Sequence, residues 1–351
     1  MSSTTTRFSL LMAAVCLLAP VWTLAQSPAP RTPPQVFKAG VDLVTVDLTV
    51  IDSKGLPIAG LDASTISVLV DGSPRRVVSV AGPSGWTPAD GHASATAGEP
   101  RTIVLLVDPS SMNRGDGMQA LHAAARFIDR VPAGDRLSVA VLPALEPAMQ
   151  FDELRSVLKD RVLRGAGSGI ANDLYTPRQV QLVNNLFDRL SAIEGPKQVI
   201  LIVGTGVGPD RRQSLSEFTD FDALANVATA WQSRVVLHQL TVSVQPGWEG
   251  MSADRRTASV PMWTRDSTRS SAGGIVATAT GGLAMAPVSG DTFFQRFERE
   301  ESGGYVLAFE PIEADRDGRA HVISVKVASR PGSSVRARHE FALDRQVASI
   351  H

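Results

Sequence analysis

Apolar and polar positions follow different periods in different regions of the chain. Between residues 44 and 50 apolar and polar side chains alternate, which predicts a strand with one buried face. The stretch 67–80 keeps this period and is interrupted by Asp71 and Gly72, a pair that favours a tight hairpin turn. From residue 101 onward, continuous apolar runs alternate with stretches of helical spacing. This alternation predicts an α/β domain in which crossover helices join the strands of a doubly wound parallel sheet.

The predicted elements continue to the end of the chain. In the α/β region we expect strands at 103–107, 136–142, 198–203, 235–242 and 283–286. The helices expected between them cover 118–131, 177–190, 220–232, 271–282 and 291–301. Strands return at 304–311, 321–328 and 335–343. The few strands before and after the α/β region make poor sheets alone, so we expect them to pair as one β-sandwich into which the α/β domain is inserted.

Composition shifts set the expected boundaries. Residues 1–25 carry one charge, Arg7, followed by an apolar stretch that closes with small residues, the pattern of a cleaved signal peptide. Pro20 interrupts a stretch already short for a spanning helix, so we expect an exported mature chain, periplasmic or secreted, without a transmembrane segment. The further segments are a proline-rich linker at 26–37, N-terminal strands at 38–82, a linker at 83–100, the α/β domain at 101–302 and C-terminal strands at 303–345.

Charge and reactive residues exclude several functions. The single cysteine, Cys16, lies in the signal segment, which removes thiol chemistry and cysteine metal sites from the mature chain. A formal net charge of -1 and the lack of a long basic run argue against nucleic-acid binding. We find neither a nucleophile elbow nor a paired-histidine metal motif. The sequence therefore predicts a protein that is not an enzyme, with an unrecognised secreted hydrolase as the alternative.

The order of several strings carries a family resemblance. These are VDLVTVDLTVIDSKGLPIAGL, VLVDGSPRRVVSV, RTIVLLVDPSSM, VPAGDRLSVAV, GPKQVILIV, ATATGG and GGYVLAFEP. Together they resemble the VWFA-related domain family of acidobacterial secreted proteins, a branch of the von Willebrand factor type A superfamily, over residues 37–343. The resemblance implies a Rossmann-like doubly wound sheet with a metal-ion-dependent adhesion site at the carboxyl ends of its strands.

In that family an Asp-x-Ser-x-Ser loop, a threonine and the aspartate of a Thr-Asp-Gly loop bind Mg²⁺ or Mn²⁺ and leave a position for a partner's carboxylate. Asp108 and Ser110 match the first loop. Strict spacing places Met112, which has no oxygen ligand, in the second serine position, and Ser111 takes that role only if the loop is one residue shorter.

The remaining ligands match less well. Thr176 or Asp173 would supply the later ligand, and Thr176 also fits the N-cap of the helix that follows. The segment Gly204-Thr205-Gly206 stands where the aspartate loop is expected. The resemblance thus implies a degenerate metal site without a cofactor, and metal-dependent adhesion through Mg²⁺ or Mn²⁺ is the alternative.

These observations predict an exported, non-enzymatic protein that binds another envelope or extracellular protein as an adhesion or scaffold component. The loop 243–270 is long for a compact domain and carries tryptophan and arginine, residues that favour interfaces, although both tryptophans would also suit a cap on the sheet. The residues expected to contact the partner are Asp108, Asn113, Arg114, Thr205, Trp248 and Trp263.

Overall fold

The computed structural model describes residues 43–82, 100–112, 114–142, 149–165, 177–204, 227, 229–242, 272–328 and 332–343. All of them belong to one compact unit. Several predictions lie outside the described residues, namely the signal peptide at 1–25, the linker at 26–37, the linker at 83–100 except for its last residue, Asn113, Thr176, Thr205, Trp248 and Trp263. The described residues form a mixed α/β structure with one parallel and one antiparallel sheet.

Twelve named strands are found in the described stretches of the chain. They are β1 (Val44–Ile51), β2 (Ile66–Val70), β3 (Ser73–Ala81), β4 (Thr102–Val107), β5 (Arg136–Val141), β6 (Lys197–Gly204), β7 (Val235–Val242), β8 (Ala284–Met285), β9 (Gly304–Glu310), β10 (Ala320–Val327), β11 (Ser334–Ala337) and β12 (Glu340–Ala342). The helices are α1 (Arg114–Arg130), α2 (Arg155–Arg164), α3 (Pro177–Ser191), α4 (Ala272–Thr280) and α5 (Gly290–Glu301). Residues 229–232 are also helical, and Pro109–Ser111 forms a single 3-10 turn.

The parallel sheet has the strand order β5-β4-β6-β7-β8. Its strands are buried on both faces because helices cover both, as the continuous apolar runs predicted. Ile103 and Leu105 of β4 pack on the side of α1, α2 and α5, whereas Val104 and Leu106 pack on the side of α3 and α4. Strand β5 pairs with one edge of β4, and the chain then crosses over to form β6 at the other edge of β4. The sheet therefore has a topological switch point between β4 and β6.

Four phenylalanines join α1 to α5 on one face of this sheet. Phe127 stacks on Phe294 with ring centroids 4.7 Å apart and meets the edge of Phe297 at 5.7 Å. Phe293 lies 5.4 Å from Phe294, and all four side chains are fully buried. Burial of this much aromatic surface fixes α5, the last helix before the chain returns to β structure.

The antiparallel sheet contains the strands on either side of the α/β region, in the order β11-β1-β9-β3-β2-β10-β12. Strands β11 and β12 lie at opposite ends of this order, yet only Arg338 and His339 separate them in the chain. The sheet must therefore curl until its ends approach each other, and one apolar cluster that includes Val46, Leu307 and Phe341 fills it. We expected two facing sheets; the structure has one continuous curled sheet, because the predicted strand 335–343 breaks at residue 338.

Two further outcomes concern local structure. The hairpin turn is confirmed, since Asp71 and Gly72 connect β2 to β3 with φ angles of 49° and 79°. Helix α2 was not predicted, because Leu158 and Val162 are its only buried residues and give too little periodicity. Within the described residues, no helix is long and apolar enough to cross a membrane.

Candidate functional site

The carboxyl ends of β4 and β6 lie side by side at the switch point, where open α/β sheets place their ligands. Val107 is the register partner of Ile202. The backbone N–H of Asp108 then donates to the Ile202 carbonyl at 2.9 Å, and Asp108 is buried. The 3-10 turn that follows carries the chain toward α1. The structure thus places the first predicted metal ligand at the expected edge of the sheet.

Ser111 connects the two strand ends. Its hydroxyl donates to the carbonyl of Asp108 at 2.8 Å and accepts from the backbone N–H of Gly204 at 2.8 Å. A serine hydroxyl has one hydrogen, so this contact with Asp108 uses its donor completely. The hydroxyl therefore ties the loop after β4 to the end of β6.

Gly204 lies too close to this loop to carry a side chain. A Cβ atom at this position would stand 1.9 Å from the carbonyl oxygen of Ser111 and 2.8 Å from the Cα of Met112. Both atoms belong to the backbone, so a larger residue requires the loop to move. Gly204 itself therefore has no room for a carboxylate side chain.

Met112 belongs to the core. It is buried among the apolar residues between the sheet and α1. A Cβ atom built at Gly117 would lie 3.3 Å from the Cβ of Met112. Of the two serine assignments that the sequence left open, the geometry favours Ser111, whose hydroxyl bonds Gly204 at the end of β6, whereas the side chain at position 112 packs into the core. Among the described residues, the switch point offers one buried carboxylate residue and one engaged hydroxyl, which does not fit the oxygen-rich shell that a hard cation requires.

The other predicted site residues cannot be placed against this geometry. The side chains of Ser110 and Arg114 lie outside the described residues, as do Asn113, Thr176 and Thr205. In the stretches of the chain that the structure describes, no three His, Asp or Glu side chains come together in a way that could hold a metal ion. The predicted Asp108 and Ser111 are the two that the structure brings together.

A second polar cluster, which the sequence analysis missed, lies at the amino ends of the parallel strands. Glu301, at the end of α5, is buried between Thr49 of β1 and Gln198 of β6. Thr49 Oγ1 donates to its Oε1 at 3.4 Å, and Gln198 Nε2 donates to its Oε2 at 3.2 Å. Arg336 Nη2 lies 3.8 Å from Oε1. Burial raises the pKa of Glu301 to about 7, although the charge of Arg101 opposes the shift.

His238 extends this cluster into the sheet. Its Nδ1 accepts from the backbone N–H of Leu283 at 3.1 Å, so the proton lies on Nε2, which donates to Gln198 Oε1 at 2.7 Å. Burial lowers the pKa of His238 well below its usual value and keeps the ring neutral. A hydrogen-bonded chain therefore runs from His238 through Gln198 to Glu301, from the parallel sheet to the curled sheet.

Three arginines complete the junction of the two sheets. Arg336 pairs with Glu300, Arg234 Nη2 lies 3.3 Å from Asp47, and Arg338 Nη2 donates to the Thr45 carbonyl at 2.6 Å. Arg336 in β11 and Arg338 two residues later both line the junction beside Asp47. This alternate spacing of two arginines was the only signal in the sequence, because their partners come from distant segments.

Comparisons with known proteins give little further guidance. No family model and no curated protein matches the chain. Among solved structures, it is similar to human COPII-coat protein Sec24c with 10% sequence identity and a TM-score of 0.38. The similarity covers 70% of this chain and 44% of the Sec24c chain, so the match spans less than half of that protein. At this score the similarity supports no conclusion about function.

Proposed function

We propose that this is an exported, non-enzymatic protein that binds another envelope or extracellular protein through a von Willebrand A-like α/β domain. Its adhesion site would be degenerate and would work without a metal. The observation that supports this proposal is the contact between Ser111 and Gly204. It occupies the strand ends where the resemblance expects metal ligands.

The strand order and the resemblance support the same location for the partner. A switch point between β4 and β6 is where such sheets recognise ligands, and loops on a rigid sheet commonly carry binding residues. Recognition would therefore use the loops around Asp108, Asn113, Arg114 and Thr205, with Trp248 and Trp263 in the long loop. To test this, binding from an envelope extract is compared for the parent protein and for Asn113→Ala with Arg114→Ala. A partner bound equally by both would contradict the assignment.

Metal-dependent adhesion is the second candidate, because Asp108 and Ser111 both lie at the switch point. Calorimetric titration with Mg²⁺ and with Mn²⁺ decides between the two. We expect neither heat of binding nor a thermal shift for the parent protein. Saturable binding that disappears in Asp108→Ala would establish the metal site and overturn the metal-free proposal.

The non-enzymatic character of the protein has a separate test. Purified protein is screened with ester and phosphoester substrates. We expect no turnover above that of buffer. Turnover that Ser110→Ala abolishes would show a hydrolase instead.

A further inference from the structure

A groove runs along the junction of the two sheets, on the side away from the switch point. One region of it, the arginine region, is lined by Asp47, Trp231, Arg234, Thr280 and Arg338. The adjoining region, which shares Asp47, contains the cluster around Glu301. Among the described residues of the arginine region, two guanidinium groups face one carboxylate, so positive charge is in excess there.

Arg338 is the most deeply placed of these cations. Its Nη2 donates to a backbone carbonyl, and its Nε has no hydrogen-bond partner among the described residues. Burial lowers its pKa to about 10; the charge of Asp47 opposes this shift, and the charge of Arg234 adds to it. A half-buried guanidinium whose hydrogen bond goes to a neutral carbonyl, with Asp47 as the opposing charge nearby, gains from a further negative group in its surroundings.

Arg234 contributes an independent observation. Its φ angle of 52° lies in the left-handed region, directly after a helical segment, where glycine is the favoured residue. This arginine reaches Asp47 only at 3.3 and 3.5 Å, and its Nε has no partner among the described residues. The backbone of Arg234 is thus strained, and its guanidinium makes only a long ion pair with Asp47. Strained backbone is common where a side chain serves a ligand.

We propose that this groove binds a small oxyanion, a phosphate or a carboxylate group, through the guanidinium groups of Arg234 and Arg338. Both groups present planar forks of N–H donors, which match two oxygens of such an anion. Asp47 balances one of the two charges and leaves the other for the ligand. The site lies at the amino ends of the parallel strands and does not depend on the function proposed for the opposite edge.

Thermal unfolding and calorimetry of the full chain test the site, with potassium phosphate, sodium acetate and sodium chloride compared at constant ionic strength. We expect saturable binding of phosphate or acetate and a rise in Tm of about 2–4 °C at ten times the Kd. The stronger of the two responses identifies the oxyanion class. A response that is equal in chloride would be a general salt effect and would overturn the proposal.

Two variants locate the binding. Arg234→Gly removes one guanidinium and relaxes the left-handed backbone, so the protein should fold and bind the anion at least about tenfold more weakly. Arg338→Gln should have the same effect; if it fails to fold, Arg234→Gly decides alone. The control is Arg319→Gln, which alters an arginine whose side chain is 84% exposed on the curled sheet and should leave binding unchanged. Unaltered binding in Arg234→Gly would refute the site.

Discussion

The two ends of the parallel sheet have opposite chemistry. At the carboxyl end, Ser111 and Gly204 form short neutral hydrogen bonds above a buried methionine. At the amino end, Glu301, Arg336 and Arg338 lie in partly paired arrangements where the curled sheet joins. The strand ends that usually bind ligands are tied together beside one buried carboxylate residue, Asp108, whereas the cluster of buried ionisable side chains around Glu301 lies at the opposite end.

This difference follows from how the chain is arranged. At the carboxyl end, the loop after β4 lies against the last residue of β6, and contact this close needs a residue without a side chain, Gly204. The amino end receives a second sheet, so the α5 residue Glu301 is buried there and the β11 residue Arg336 is half-buried. Buried ionisable groups cost free energy unless they are paired, so this junction carries more polar contacts.

The largest expected effect comes from introducing a carboxylate at the end of β6 with Gly204→Asp. Because the new Cβ would overlap the Ser111 carbonyl at 1.9 Å, we expect a loss of about 4 kcal/mol or failure to fold. The control is Gly134→Asp, where no atom lies within 4 Å of the Cβ position. Both variants are compared by urea unfolding. Equal stability of the two would show that the strand ends are not in tight contact.

Glu301→Gln tests the opposite end. The folded pKa of about 7 lies above the ordinary glutamate value of 4.5, so the folded state holds this proton more strongly than the unfolded state. The free energy of unfolding therefore falls by about 3 kcal/mol as pH rises from about 4.5 to 7. Above pH 7 this contribution stays constant. The glutamine variant should lack this loss.

Urea unfolding at pH 4.5 and pH 8 measures the difference for the parent and for Glu301→Gln. The control is Glu310→Gln, which changes an exposed carboxylate paired with Arg76 on the curled sheet. If the parent and Glu301→Gln lose the same stability between the two pH values, the junction is not the source of the pH dependence.

Ser111→Ala should have a smaller effect at the carboxyl end. It leaves the Gly204 N–H without its partner and removes the shorter of the two bonds that the Asp108 carbonyl accepts from residue 111, at a cost of about 2 kcal/mol. Ser191→Ala is a matched control, since that hydroxyl also donates to a carbonyl three residues earlier but at an exposed position. A loss no larger than that of the control would show that Ser111 does not hold the two strand ends together.

The sequence predicted most elements of the parallel sheet, because continuous apolar runs such as 198–203 follow directly from burial on both faces. It also predicted the turn at Asp71 and Gly72, where local chemistry decides the backbone. It placed Asp108 correctly at a strand end. These features depend on neighbours in the chain.

Features that depend on distant residues could not be predicted in the same way. The chain of hydrogen bonds through Gln198 and Glu301 joins residues 103 positions apart, and no periodicity relates them. The single curled sheet depends on a break at Arg338 that the apolar pattern of 335–343 does not show. The sequence could not decide whether Ser111 or Met112 takes the position of the second serine, because this depends on which of the two side chains packs in the core.

The smallest expected effect concerns a charged group far from both ends. His321, on the curled sheet, bonds Asp71 at 2.7 Å and Asp317 at 3.1 Å, and these carboxylates raise its pKa above 6.5. Its stabilisation is complete below pH 6.5 and is lost as pH rises through the raised folded pKa. His321→Gln should therefore lower Tm at pH 5.5 more than at pH 8.5, the direction shared with Glu301.

Because the two groups lie in different regions of the fold, the double variant His321→Gln with Glu301→Gln should show additive losses of pH dependence. Strong non-additivity would mean that the curled sheet and the junction respond to pH as one unit.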